Sequence, residues 1–165
     1  MTLGFKIKNF FFNAFREIFV HHHGSLEFRA KIFALLVAAD EDVSDEYYEC
    51  IKDIGMQIYQ GDEERTNLLI MTTKELVKKI KDENNLNYDT LIPHLQKELK
   101  LIPRYAKKID VALLKPLLEI TQDKDTRSYQ ENILEFLQRL KDETLHTKQR
   151  EIELEEETLN SKYKS

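Results

Sequence analysis

Ala30-Lys-Ile-Phe-Ala-Leu-Leu-Val-Ala-Ala-Asp40-Glu-Asp-Val-Ser-Asp-Glu46 is the stretch on which the fold turns. Phe28, Ile32, Leu35, Leu36 and Ala39 recur at helical spacing, so an inward-facing helix leads into an acidic loop, Asp40-Glu41-Asp42-Val43-Ser44. Gly24 and Ser25 just before it supply a helix stop and a fresh N-cap. Beyond the loop Tyr47, Ile51, Ile54 and Ile58 repeat the spacing until Gly61 closes the second helix. The unit is helix, acidic loop, helix.

Outward from that unit the same period continues. After Asp62, Leu69, Leu76, Val77 and Ile80 predict a further helix that fades into Asn84-Asn85. Leu91, Leu95 and Leu99 predict a short one, with Pro93 in its first turn, where a missing N–H costs nothing. Pro103 opens the next, which carries Ile109, Leu113, Leu117 and Ile120 and must kink or restart at Pro116. A second polar loop, Gln122 to Thr126, precedes a last helix with Ile133, Phe136, Leu137 and Leu140 inward. An offset of 83 residues places Asp40 on Asp123, Asp42 on Asp125, Val37 on Ile120 and Ile54 on Leu137. Two copies of one helix–loop–helix half would produce that register.

Composition agrees. Four Gly and three Pro in 165 residues cannot punctuate a many-stranded sandwich or barrel, so the chain reads as all-α. One cysteine, Cys50, excludes an internal disulfide, and nothing points to an oxidising compartment. A net charge of −5 argues against a general nucleic-acid binder, which needs a basic surface to displace phosphate counterions. The expectation is a single cytoplasmic domain over 24–140, flanked by segments 1–23 and 141–165 of different character.

Segment 1–23 holds Phe5, Phe10, Phe11, Phe12, Phe15 and Phe19, and residues 5–20 read as an amphipathic helix with Asn9, Asn13 and Arg16 opposite the apolar face. Lys6, Lys8, Arg16 and Glu17 interrupt it too often for a membrane span, and no small-residue cleavage site follows. It suits either core packing or a peripheral place on the inner membrane surface, with its cations near anionic headgroups. In segment 141–165 Leu145, Ile152 and Leu159 stand seven apart while the alternate seam positions are polar, which is half a coiled-coil seam. The helix is expected to begin well and end as a mobile, solvated tail able to meet other proteins.

For chemistry, the acidic loops come first. Asp40, Asp42 and Glu46 concentrate hard oxygen ligands in one turn, as Ca²⁺ or Mg²⁺ requires, and Asp123 and Asp125 are a thinner copy. An EF-hand would need Gly at Asp45 and Glu at Ile51, and has neither. The alternative is that Ser44, Asp45 and Glu46 cap a helix and complement its dipole. His21, His22 and His23 diverge by 100° each on a helix and cannot converge on one tetrahedral ion. Glu143 and His146 are an isolated Glu-x-x-His in the charged tail, whereas a di-iron bundle needs two. Cys50 has no His nearby in sequence and reads as an inert, buried thiol. No Gly-rich phosphate loop exists, and the chain reads as a non-enzyme.

The stretch quoted at the outset resembles the signature of the TerB-like tellurite-resistance family: an apolar helix ending in Ala-Ala-Asp-Gly, an acid, an aliphatic residue, then Ser or Asp and further acids. The resemblance covers residues 26–140 and rests on about fifteen positions. It implies an all-helical domain of two pseudo-symmetric halves, an acidic site for a divalent ion, and a stress-linked scaffold at the inner membrane face. On this chain that site would fall on Asp40, Asp42 and Glu46, with Asp123 and Asp125 in the second half. Glu41 replaces the family's Gly, Tyr47 stands where Glu is usual, and Lys124 and Gln130 depart from the second copy.

Overall fold

The long apolar run of residues 32–39 has no polar face to offer water, and a helix of that kind belongs at the centre of a bundle. The computed structural model describes residues 24–82 and 86–164. There α1 (Gly24–Ala38) is buried on nearly every side, so the inward stripe read from sequence is only part of its contact surface. Even Glu27 and Lys31 are mostly shielded, and Lys31 forms an ion pair with Glu98 on a neighbouring helix.

Around α1 stand α2 (Asp45–Ile58), α3 (Glu63–Asp82), α4 (Leu86–Leu101) and α6 (Lys124–Tyr163). Between the last two the chain forms a 3₁₀ turn (Pro103–Lys108), the one-turn α5 (Val111–Leu114) and a second 3₁₀ turn (Lys115–Glu119). Among the described residues every regular element is helical, and none is long and apolar enough to cross a membrane. The principal packing is α1 on α3, with α4, the first 3₁₀ turn and α6 closing the other sides. One continuous core includes Phe28, Ile32, Leu36, Ile51, Leu69, Leu95, Leu117 and Leu137.

Local chemistry sets the boundaries. Asp62 accepts the Arg65 N–H at 3.1 Å and so caps α3. α2 ends in a Schellman arrangement: the Gly61 N–H donates to the Met56 carbonyl at 2.9 Å. The left-handed position there is Gln60, at φ 53°, with Gly61 following at φ 86°. Gly55 lets α2 lie against α3, since a Cβ there would come within 2.9 Å of Thr66 Cγ2.

Several boundaries differ from expectation, each for a physical reason. Gly24 and Ser25 belong to α1 rather than flanking it. Pro93 sits mid-helix in α4, eighth of 16 residues, rather than in the first turn. Packing of Leu91, Leu95 and Leu99 into the core offsets the lost backbone bond. The helix expected from Pro103 is three short pieces, because two prolines thirteen residues apart and the cap at Asp110 each start a new element. α6 crosses position 140 without a break and continues to Tyr163, 40 residues in all. The predicted helix over 5–20 and the His21–His23 tract lie outside the described residues.

Candidate functional site

The last four carbonyls of any helix lack an intrahelical partner, and α1 ends inside the protein, where water cannot serve them. Asp40 in the following loop and Gln130 on α6 meet part of this need. The Asp40 N–H donates to the Val37 carbonyl at 3.1 Å, and the Gln130 side-chain amide donates to the Leu36 carbonyl at 2.9 Å. Lys81 on α3 donates to the Asp40 carbonyl at 2.6 Å, placing a cation at the negative end of the α1 dipole.

Asp40 is the centre of the network and is only 7% exposed. Its Oδ1 accepts the Asp42 N–H at 3.0 Å, and its Oδ2 accepts the Tyr47 hydroxyl at 2.6 Å. Tyr47 in turn accepts from the Gln130 amide at 3.3 Å. The relay is Gln130 to Tyr47 to Asp40, entirely buried. Burial pushes the Tyr47 phenol far above its usual range, and its hydrogen bond to the Asp40 carboxylate pushes it further. Gln130 Oε1, turned away from the Leu36 carbonyl by the same bond, is buried with no hydrogen-bond partner.

The acidic residues singled out from sequence divide accordingly. Asp40 points inward, while Asp42 and Glu46 are exposed, Glu46 in the first turn of α2. Ser44 holds the N-cap position of α2 but makes no side-chain cap bond, so the expected hydroxyl cap is not formed. Asp123 is the N-cap of α6, accepting the Thr126 N–H at 3.1 Å and its hydroxyl at 2.8 Å. The Thr126 hydroxyl is the main reason its carboxyl lies below the usual carboxylate range, with the Thr126 N–H second. Asp125 follows it in the first turn, exposed. Among the described residues no three His, Cys, Asp or Glu side chains gather as a cation would require.

The 83-residue offset holds one surprise. Tyr47 and Gln130, which it superposes, are in direct contact. The segments before them do not match: α1 is an unbroken helix, whereas its counterpart is two 3₁₀ turns around α5.

A second feature escaped the sequence reading although it is a plain charge run. From Lys97 to Lys115 six basic residues, Lys97, Lys100, Arg104, Lys107, Lys108 and Lys115, stand against Glu98 and Asp110. Glu98 is already paired with Lys31. The first 3₁₀ turn sets Tyr105 against Gly24, where a Cβ would fall 2.6 Å from the Tyr105 hydroxyl. The middle of the basic run, at Tyr105, therefore meets the point at which residues 1–23 join the fold. Cys50 is half-buried, its thiol pushed up first by burial and then by Asp53, so it is a weak nucleophile. Glu143 and His146 lie on the α6 extension.

Fold and site together define a helical bundle built about one central helix, with its polar network serving helix ends. None of the protein-family models, curated proteins or solved structures compared with the chain matches it.

Proposed function

We propose that this protein is a non-enzymatic, TerB-like helical scaffold that works at the cytoplasmic face of an anionic membrane and holds other proteins there. The observation that carries this reading is the junction at Gly24. The Phe-rich segment 1–23, with Lys6, Lys8 and Arg16, joins the fold at Gly24, against Tyr105 of the 3₁₀ turn that also carries Arg104, Lys107 and Lys108. An amphipathic segment and a basic patch are the two signals that stable peripheral attachment needs together. The extension of α6, with Ile152, Leu154 and Leu159 exposed, is the surface on which partners would act.

The same geometry favours a scaffold with no resident ion. Asp40 is buried and both its carboxylate oxygens already accept hydrogen bonds, while Asp42 and Glu46 do not gather with it into a ligand cluster.

Co-sedimentation of the full chain with phosphatidylcholine vesicles, with and without phosphatidylglycerol, tests the membrane reading. Binding is expected only with the anionic lipid, falling with salt and lost in Phe11→Asp/Phe15→Asp. A full chain that stays in the supernatant at low salt refutes it.

A further inference from the structure

Between α1, α2 and the segment from Lys107 to Leu114 lies a pocket of about 70 Å³. Its apolar walls include Phe33, Ile54, Ile58 and Leu113, and Arg29, Lys107 and Lys108 also line it. One acid, Asp110, lines it too, and its Oδ1 is committed to the Leu113 N–H as the cap of α5. Three cations thus face a hydrocarbon hollow with a single preoccupied carboxylate among them. Lys108 records the crowding: burial lowers its pKa, and the neighbouring Arg29 and Arg104 lower it further. Arg29 is held in place over the Tyr59 ring, 5.6 Å from its centroid.

Three cations gathered around apolar walls repel one another, and one carboxylate does not balance them. An anion beside them would relieve that repulsion, and a hydrocarbon chain would fill the hollow. An apolar cavity of roughly 150 Å³ holds a benzene ring. By that scale this pocket takes about three or four carbons. We infer that the pocket binds an anion carried on a short aliphatic chain, a carboxylate or phosphate beside these cations with its hydrocarbon between α1, α2 and α5. The site goes beyond the membrane reading and does not depend on it, since a soluble ligand suffices.

Four probes separate the parts of the inference: pentanoate, pentyl phosphate, pentanol and inorganic phosphate, titrated into the full chain without vesicles. Methyl resonances of Ile58 and Leu113 report occupancy. At least one of the two charged pentyl probes is expected to bind ten-fold or more tighter than both pentanol and inorganic phosphate. Which of the two binds better identifies the headgroup. Lys107→Gln, at an exposed position, is expected to weaken binding about three-fold, and Lys107→Gln/Lys108→Gln about ten-fold. Phe11→Asp/Phe15→Asp should leave pentanoate or pentyl phosphate binding unchanged even where vesicle binding is lost. If neither charged pentyl probe binds ten-fold tighter than both pentanol and inorganic phosphate, or if neither methyl shifts, the site is overturned. Loss of binding in the Phe variant also overturns it, by showing that the probes bind through residues 1–23 rather than in this pocket.

Discussion

Tyr47 joins the buried carboxylate of Asp40 to the carbonyl end of α1 through Gln130 on α6. Replacing it with Phe keeps the ring packing but leaves Asp40 Oδ2 buried without its donor. A buried acceptor stripped of its partner costs about 1–3 kcal/mol, more when charged. Tyr47→Phe is therefore expected to lose about 2 kcal/mol by urea denaturation. A change below ~0.5 kcal/mol would mean the relay contributes little. The same residue shapes the alkaline limb. An unfolded tyrosine loses its proton near pH 10, whereas folded Tyr47 retains it well beyond. Across that window the folded state binds the extra proton, so stability is full below pH ~10 and falls as pH rises above it. Tyr48 and Tyr59, also raised chiefly by burial, add to the fall. Tyr47→Phe should remove about one proton from the slope, roughly 1.4 kcal/mol per pH unit, measured from urea midpoints between pH 9 and 11.5.

At the scale of elements, the contact between α2 and α3 depends on the absence of a side chain at Gly55. A methyl there meets Thr66 Cγ2 at 2.9 Å and Leu69 Cδ2 at 3.4 Å, and neither branched neighbour has room to turn aside in a packed interface. Gly55→Ala gains helix propensity of about 1 kcal/mol in α2, against about 1–3 kcal/mol for overpacking. A net loss is expected, restored in part by Thr66→Ser, which removes the opposing methyl. Stabilisation by Gly55→Ala alone would show that α2 can shift freely on α3. Here the element is governed by its neighbour rather than by its own sequence.

Over the whole molecule the contrast is between a close-packed bundle and one helix that outgrows it. At 1.5 Å per residue, the 40 residues of α6 span about 60 Å. A domain of this size has a radius of gyration of only about 14 Å. Only the first half of α6 is held by the core: Gln130, Ile133, Leu134 and Leu137 are buried, and Lys141 donates to the Ile109 carbonyl at 2.9 Å. Beyond Leu145 the large apolar residues Ile152, Leu154 and Leu159 are exposed. A chain ending at Lys148 should keep its urea midpoint within about 0.5 kcal/mol of the full chain while losing helical ellipticity. A fall of ~1.5 kcal/mol or more would mean that the extension braces the core. The extension is a surface, not a support.

The helices of this protein are legible in its sequence because amphipathic spacing is a local property: a stripe such as Tyr47, Ile51, Ile54 and Ile58 specifies both a helix and its inner face. The Asp62 and Asp123 caps are legible for the same reason, since each serves an N–H three residues on. Asp40 shows where that ends. Its place in an acidic run suggested a ligand facing solvent, yet whether a carboxylate faces water or the core depends on what packs over it. Tyr47 and Gln130 lie 83 residues apart, and only the docking of α6 against α1 and α2 joins them. The basic lining of the pocket likewise gathers Arg29 from α1 with Lys107 and Lys108 from the 3₁₀ turn. Spacing along the chain determined which segments coil and which side turns inward. Tertiary packing alone decided which polar groups are buried together, because burial is shared between elements that no single stretch of sequence contains.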